Sequence, residues 1–215
     1  MRKKSKGTNK IADNAERDPS FALPLAVVLG LFRADPSLTL SNIAEAARLD
    51  GSASLTLSSR YHSPAEWLAA LLEVYDPAPD FETAMATVTG EDAPDLLRDA
   101  MRQMITLTTR HMAYFELALI EADTYHGGSL NAFTRRMLPA ANDLLQKIKE
   151  TGQLRPLPDW LIARALVALL IGFVASERAM PANAQFAARL MPQRLWIDSL
   201  SDILLYGMIE DEARR

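Results

Sequence analysis

The stretch GSASLTLSSRYH at residues 51–62 crowds hydroxyls, a guanidinium, a phenol and an imidazole into one short run. Ser52, Ser54, Thr56, Ser58, Ser59, Arg60, Tyr61 and His62 all carry groups able to hydrogen-bond phosphate oxygens and the edges of bases. Hydroxyls donate and accept, and a guanidinium presents a fork of donors that matches a phosphate. The same composition also describes a helix whose outer face is simply solvated. The elements around the stretch decide between the two.

Other chemistry is sparse. With Cys 0 in the composition, disulfides, thiol catalysis and thiolate metal sites are excluded. The three histidines, His62, His111 and His126, stand far apart, so no histidine metal cluster is expected. P-loop, GxSxG and HExxH patterns are missing, and acids such as Glu116 and Glu121 read as helix-surface charges or occasional partners rather than an acid/base pair. Neither an enzyme nor a cofactor is expected.

The 215 residues allow one mid-sized domain or a small one joined to a larger one. Hydrophobic residues at 49% and charged residues at 23% suit a soluble, helix-rich chain. The net charge of −4 confines any nucleic-acid contact to a local surface. MRKKSKGTNK at the start is strongly basic, but no apolar run of a secretory signal follows it, so a cytoplasmic protein is expected. The most apolar run, ALVALLIGFVAS between Arg164 and Glu177, is shorter than the ~20 residues that cross a bilayer as a helix. No membrane partner is expected.

Residues 1–18 lack apolar periodicity and read as a flexible basic arm. FALPLAVVLGLF predicts a first, largely buried helix with Pro24 in its first turn. Thr39 or Ser41 can cap a second, short helix carrying Ile43, Ala44, Ala46 and Ala47. In ARLDGS, Leu49 anchors the turn and Asp50 caps the next helix. Two short helices across a tight turn fit a helix-turn-helix. SPAEWLAALLEVY then supplies a Ser cap, a Pro at the first helical position and a Glu at the third, followed by a stripe of Trp67, Leu68, Leu71, Leu72 and Tyr75. Pro77 and Pro79 stop that helix, which places a boundary there and gives a helix-turn-helix domain at 19–75.

Past Asp92 the chain reads as long helices and short breaks. Leu97, Met101, Met104, Thr108, Met112, Phe115 and Leu119 recur at helical spacing, TYHGGS interrupts, Phe133–Lys149 resumes, and TGQLRPLPD is a stop followed by a cap. Two apolar helices at about 159–179 and 190–209 close the body. No lasting period-two alternation argues for a strand, so the fold class is all-α.

The order of these parts resembles the tetracycline-repressor (TetR) family of transcription regulators. In the head the resemblance is carried by LF at 31–32, IAEAA at 43–47 and YHSPAEWLAALLE at 61–73. In the body it is carried by IKETGQLRPLPDWLIARALVALLIGFV at 148–174, similar to the family's turn followed by an apolar helix. Arg48 stands where the family has a turn glycine, the second helix of the motif reads about one turn longer, and Ala65 replaces the lysine common after the serine.

The resemblance implies a three-helix DNA-binding head followed by a ligand-binding and dimerisation body at 76–215. The head itself carries Arg33, Arg48 and Arg60 against Asp35, Glu45, Asp50, Glu66 and Glu73. It therefore needs the arm, through Lys3, Lys4 and their basic neighbours, to hold phosphates. The expected DNA contacts are Lys3 and Lys4 with the eight residues of the hydroxyl-rich stretch. A pocket in such a body is lined by apolar and aromatic side chains with a few polar groups, for which Met101, Met104, Thr108, His111, Met112, Phe115, Tyr125, His126, Phe133 and Trp160 have the right chemistry. Their alternative is plain core packing. Leu166, Leu170 and Phe173 on one closing helix, with Trp196, Leu200, Ile203 and Leu204 on the other, suit a four-helix interface across a two-fold axis.

The resulting expectation is a ligand-responsive repressor that binds operator DNA as a homodimer and responds to a small apolar or amphipathic effector. The alternative is a helical small-molecule-binding or interaction protein of the same family whose head has lost DNA binding.

Overall fold

The computed structural model describes residues 19–35, 37–153, 157–179, Pro181 and Asp202. The arm, with Lys3 and Lys4, and the helix expected at 190–209, with Trp196, Leu200, Ile203 and Leu204, lie outside the described residues. Among the described residues every regular element is a helix, as the spacing of apolar positions predicts. The described chain divides into two compact units. One takes residues up to Asp76 and then Ala113–Ala132; the other takes Pro77–Met112 and residues from Phe133 onward.

In the first unit a short 3-10 turn, Pro19–Ala22, leads to α1 (Leu25–Ala34). Pro24 stands immediately before α1 rather than inside its first turn. The ring fixes φ and cannot donate, so the position preceding the helix suits it. Thr39 opens α2 (Leu40–Ala46) with a reciprocal capping box to Asn42: the Asn42 amide donates to Thr39 Oγ1 at 3.3 Å and Asn42 Oδ1 accepts from the Thr39 amide at 2.9 Å. Asp50 opens α3 (Gly51–Arg60) by accepting the Ala53 amide at 2.8 Å. Ser63, Pro64 and Glu66 open α4 (Pro64–Val74) in the order the sequence implies. Trp67, Leu68, Leu71 and Leu72 of α4 are fully buried with Val28, Leu29, Phe32, Ile43 and Leu57. Tyr75 lies at the edge, where its hydroxyl donates to the Phe21 carbonyl at 2.9 Å and ties the end of α4 to the entry turn.

In the second unit Pro77 and Pro79 do more than stop a helix. They start α5 (Ala78–Ala86), which the sequence reading passes over, because proline is tolerated in a first turn where amides have no intrahelical acceptor. α6 (Ala93–Arg110) is capped by Asp92 and by Gln153 Oε1, which accepts the Ala93 amide at 3.0 Å. The continuous periodicity from Leu97 to Leu119 does not give one helix. It breaks at His111, and α7 (Met112–Tyr125) follows. His126, in the left-handed region at φ 55°, ends α7, and α8 (Ser129–Lys149) begins soon after.

Leu96, Leu97 and Ala100 of α6 pack with Leu144, Leu145 and Ile148 of α8, Met85 of α5 and Ile162 of α9 (Asp159–Ala179). By length and composition, Asp159–Ser176 of α9 is long and apolar enough to cross a membrane, a longer span than the apolar run between Arg164 and Glu177 suggests, and little of it is buried among the described residues.

Gly90 shows how tightly the loop before α6 is packed. A Cβ there would lie 2.5 Å from the Leu96 backbone nitrogen and 2.9 Å from the Asp95 carbonyl carbon. Gly90→Ala is therefore expected to lower stability by about 1–3 kcal/mol. Urea unfolding should show an earlier midpoint at unchanged slope.

Candidate functional site

The corner between α2 and α3 is built by backbone geometry. The Leu49 amide donates back to the Ala44 carbonyl at 2.9 Å and the Arg48 amide to the Glu45 carbonyl at 2.9 Å, the paired bonds of a Schellman termination. That motif requires one residue in the left-handed region, and here it is Arg48 at φ 53°. Glycine adopts this conformation without a Cβ clash, whereas arginine carries a steric cost. Asp50 follows closely and caps α3, so the chain enters the next helix almost as soon as it leaves the strained position.

Within α3 one side faces the core. Leu57 is buried, as is Tyr61 just after the helix, and α3 packs on α2 and on the entry turn. Ser52, Thr56, Ser58, Ser59, Arg60 and, beyond the helix, His62 are exposed; Ser54 is half-buried. Tyr61 corrects the sequence reading, because its ring sits 6.2 Å from that of Phe21 and belongs to the packing of the head. It acts through Arg60, whose guanidinium lies over the ring at 5.6 Å from its centroid. That contact holds the one cation of α3 at the helix end.

The hydroxyls are occupied. Thr56 Oγ1 donates to the Ser52 carbonyl at 2.9 Å, Ser58 Oγ to the Ser54 carbonyl at 3.1 Å, Ser59 Oγ to the Thr56 carbonyl at 2.9 Å and Ser52 Oγ to Asp50 Oδ1 at 2.9 Å. Their protons point into the helix, while lone pairs remain outward as acceptors. The Asp50 carboxyl is held below the usual aspartate range, chiefly by the Ala53 amide and then by Ser52. The residue that sequence reading misses is Leu55, 74% exposed in the middle of the hydroxyls. Its signal was there: it falls on the side of the helix away from Leu57.

The ten effector candidates divide between the units. Met101, Met104, Thr108, His111, Met112, Phe133 and Trp160 belong to the second; Phe115, Tyr125 and His126 belong to the first. Met101, Thr108 and Phe133 are buried, and Thr108 Oγ1 donates to the Met104 carbonyl at 2.8 Å. Phe133 meets the edge of Phe81 at 5.3 Å between centroids. Met104 and Met112 are half-buried. His111 Nε2 lies 2.9 Å from Asp80 Oδ2, which joins the α6–α7 break to α5. Trp160, at 67% exposure, stands in the open on the first turn of α9. In the first unit Phe115 is buried against Tyr114 at 5.4 Å, and His126 is exposed. Tyr125 meets the edge of Phe32 at 6.3 Å, and burial, with the charge of Asp35 second, pushes its hydroxyl above the usual tyrosine range. Of the interface candidates, Phe173 is half-buried, and the side chains of Leu166 and Leu170 lie outside what is described.

Glu116 and Glu121 are not surface charges. Glu116 of α7 is buried and paired with Arg33 of α1. Glu121, also buried, accepts the Ser129 amide at 3.0 Å and so caps α8, while the Gly127 amide donates to its carbonyl at 3.1 Å. Glu116 ties the returning α7 segment to α1 of the first unit, and Glu121 holds the turn between α7 and α8 within that segment, neither of which helical periodicity alone reveals.

Arg48→Gly is expected to raise stability by roughly 0.5–1 kcal/mol, the left-handed penalty less the added chain entropy; a higher thermal midpoint checks it. Asp50 makes a pH prediction. Its folded pKa is depressed, so its stabilising contribution is present above the unfolded value near ~3.9 and is lost as pH falls through the lower folded value. Asp50→Asn keeps a capping oxygen but cannot titrate. Urea midpoints at pH 7, 5 and 3 should therefore fall less steeply with acid in the variant than in the parent.

No protein-family model and no curated protein matches the chain. Among solved structures it is similar to a TetR family transcription regulator from Marinobacter aquaeolei VT8, with a TM-score of 0.56 and 18% identity over 92% of this chain and 97% of that one. The chain has the all-α fold of that regulator.

Proposed function

We propose that the chain is a ligand-responsive transcription regulator, acting as a repressor, that binds operator DNA as a homodimer. The observation that carries this reading is the outward side of α3: Ser52, Thr56, Ser58, Ser59 and Arg60 are exposed on the second helix of a tight helix-turn-helix. Such a helix reads a major groove while neighbouring basic groups hold the phosphates. The acidic head gains those groups from the arm, through Lys3, Lys4 and the basic residues around them.

Homodimerisation is supported by α9, whose apolar side chains are little buried among the described residues and call for a second copy. A two-fold pair also matches a palindromic operator. A small apolar or amphipathic effector is supported by the half-buried Met104 and Met112, which can reshape around a ligand. The effector acts by favouring one of two arrangements of the paired heads.

A second reading, a helical ligand-binding or interaction protein whose head has lost DNA binding, is favoured by the hydroxyl protons of α3, which already serve its own backbone. Titrating duplex DNA from the protein's own promoter region at several salt concentrations separates the two. A regulator should show log affinity falling with log salt. Removing residues 1–10 should shrink the slope by about 0.9 for each phosphate that the arm neutralises. Absence of binding at low salt supports the second reading.

A further inference from the structure

Leu55 is the most exposed large hydrophobic side chain among the described residues, yet it sits between Ser54 and Thr56 in a polar helix. At about 100° per residue, Leu55 lies roughly 200° around α3 from Leu57, the residue that anchors the helix inward. It is therefore the outermost point of the helix. Ser52 at i−3, Ser58 at i+3 and Ser59 at i+4 surround it on the same side. The donor protons of these serines are committed, that of Ser52 to Asp50 and those of Ser58 and Ser59 to helix carbonyls. The tip thus consists of a branched apolar side chain ringed by hydroxyl oxygens that can still accept.

The base edges of a major groove include one apolar group, the C5 methyl of thymine, and two amino donors, those of adenine and cytosine. An apolar tip ringed by acceptors complements a thymine methyl beside amino donors. It offers little to the acceptor edge of guanine.

We propose that Leu55 determines sequence specificity by packing on a thymine methyl in each half-site, with the surrounding hydroxyls accepting from neighbouring amino groups. The inference rests on the DNA-binding reading above. It adds the base class and the residue that selects it.

The test uses the full chain. A randomised duplex library is selected for binding, and each thymine of the recovered site is then replaced by uracil, which lacks only the methyl. Uracil at the contacted position in one half-site should weaken binding by the intact chain roughly fourfold, the factor that burying one methyl group gives. The same replacement should leave Leu55→Ala binding unchanged. Leu55→Gln should move the preferred base at that position from thymine to adenine, because a carboxamide pairs with the adenine edge. Helix content by circular dichroism checks that both variants fold. Specific binding in which uracil affects the intact chain and Leu55→Ala equally overturns the role of Leu55 while leaving the regulator reading in place. Failure to recover any bound duplex at low salt overturns both.

Discussion

The turn from α2 into α3 depends on a single conformational demand: Arg48 must remain left-handed so that the amides of Arg48 and Leu49 can return to the carbonyls of Glu45 and Ala44. Those bonds satisfy groups that a helix end leaves without partners. Because the reversal takes so few residues, Asp50 reaches the N-terminus of α3 in position to cap it. The side of α3 that meets the core is then set by Leu57 and by Tyr61 against Phe21. Every outward residue of α3 inherits its direction from this corner. Arginine in a position suited to glycine is a cost the fold carries at this corner.

The rest of the first unit holds that corner still. α4 contributes a solid apolar side, and Tyr75 closes it against the entry turn. The returning segment Ala113–Ala132 brings buried carboxylates with it. Glu116 pairs with Arg33, and Glu121 serves the start of α8. A buried carboxylate without such partners would strongly destabilise the fold, so the pair with Arg33 specifies how the segment joins the unit, while the Glu121 contact fixes the turn within it. The chain does not finish the first unit before it builds the second.

On α3 the same economy of partners shapes the surface. Hydroxyls close to the helix axis turn their protons onto backbone carbonyls, which removes donors from the outer face and leaves acceptors. Arg60 is steered by the Tyr61 ring. The outermost position falls to a leucine. Chemistry presented to a partner is therefore a matter of which protons are already engaged, and composition alone overstates the donors available.

Sequence by itself determined the helical class, the caps at Asp50 and Ser63, a cap for α2 at Thr39 or Ser41, the inward stripe of α4 and the limits of α9, because these rest on contacts within a few residues and on a period of 3.6. The hydroxyl-rich helix was legible for the same reason. Tertiary structure alone decided that Tyr61 faces inward, that Glu116 is buried, and that the Leu97–Leu119 periodicity breaks at His111. Each of these depends on a partner distant in the chain, Phe21 for Tyr61, Arg33 for Glu116, Asp80 for His111. Local spacing carries no record of which distant segment will arrive beside it.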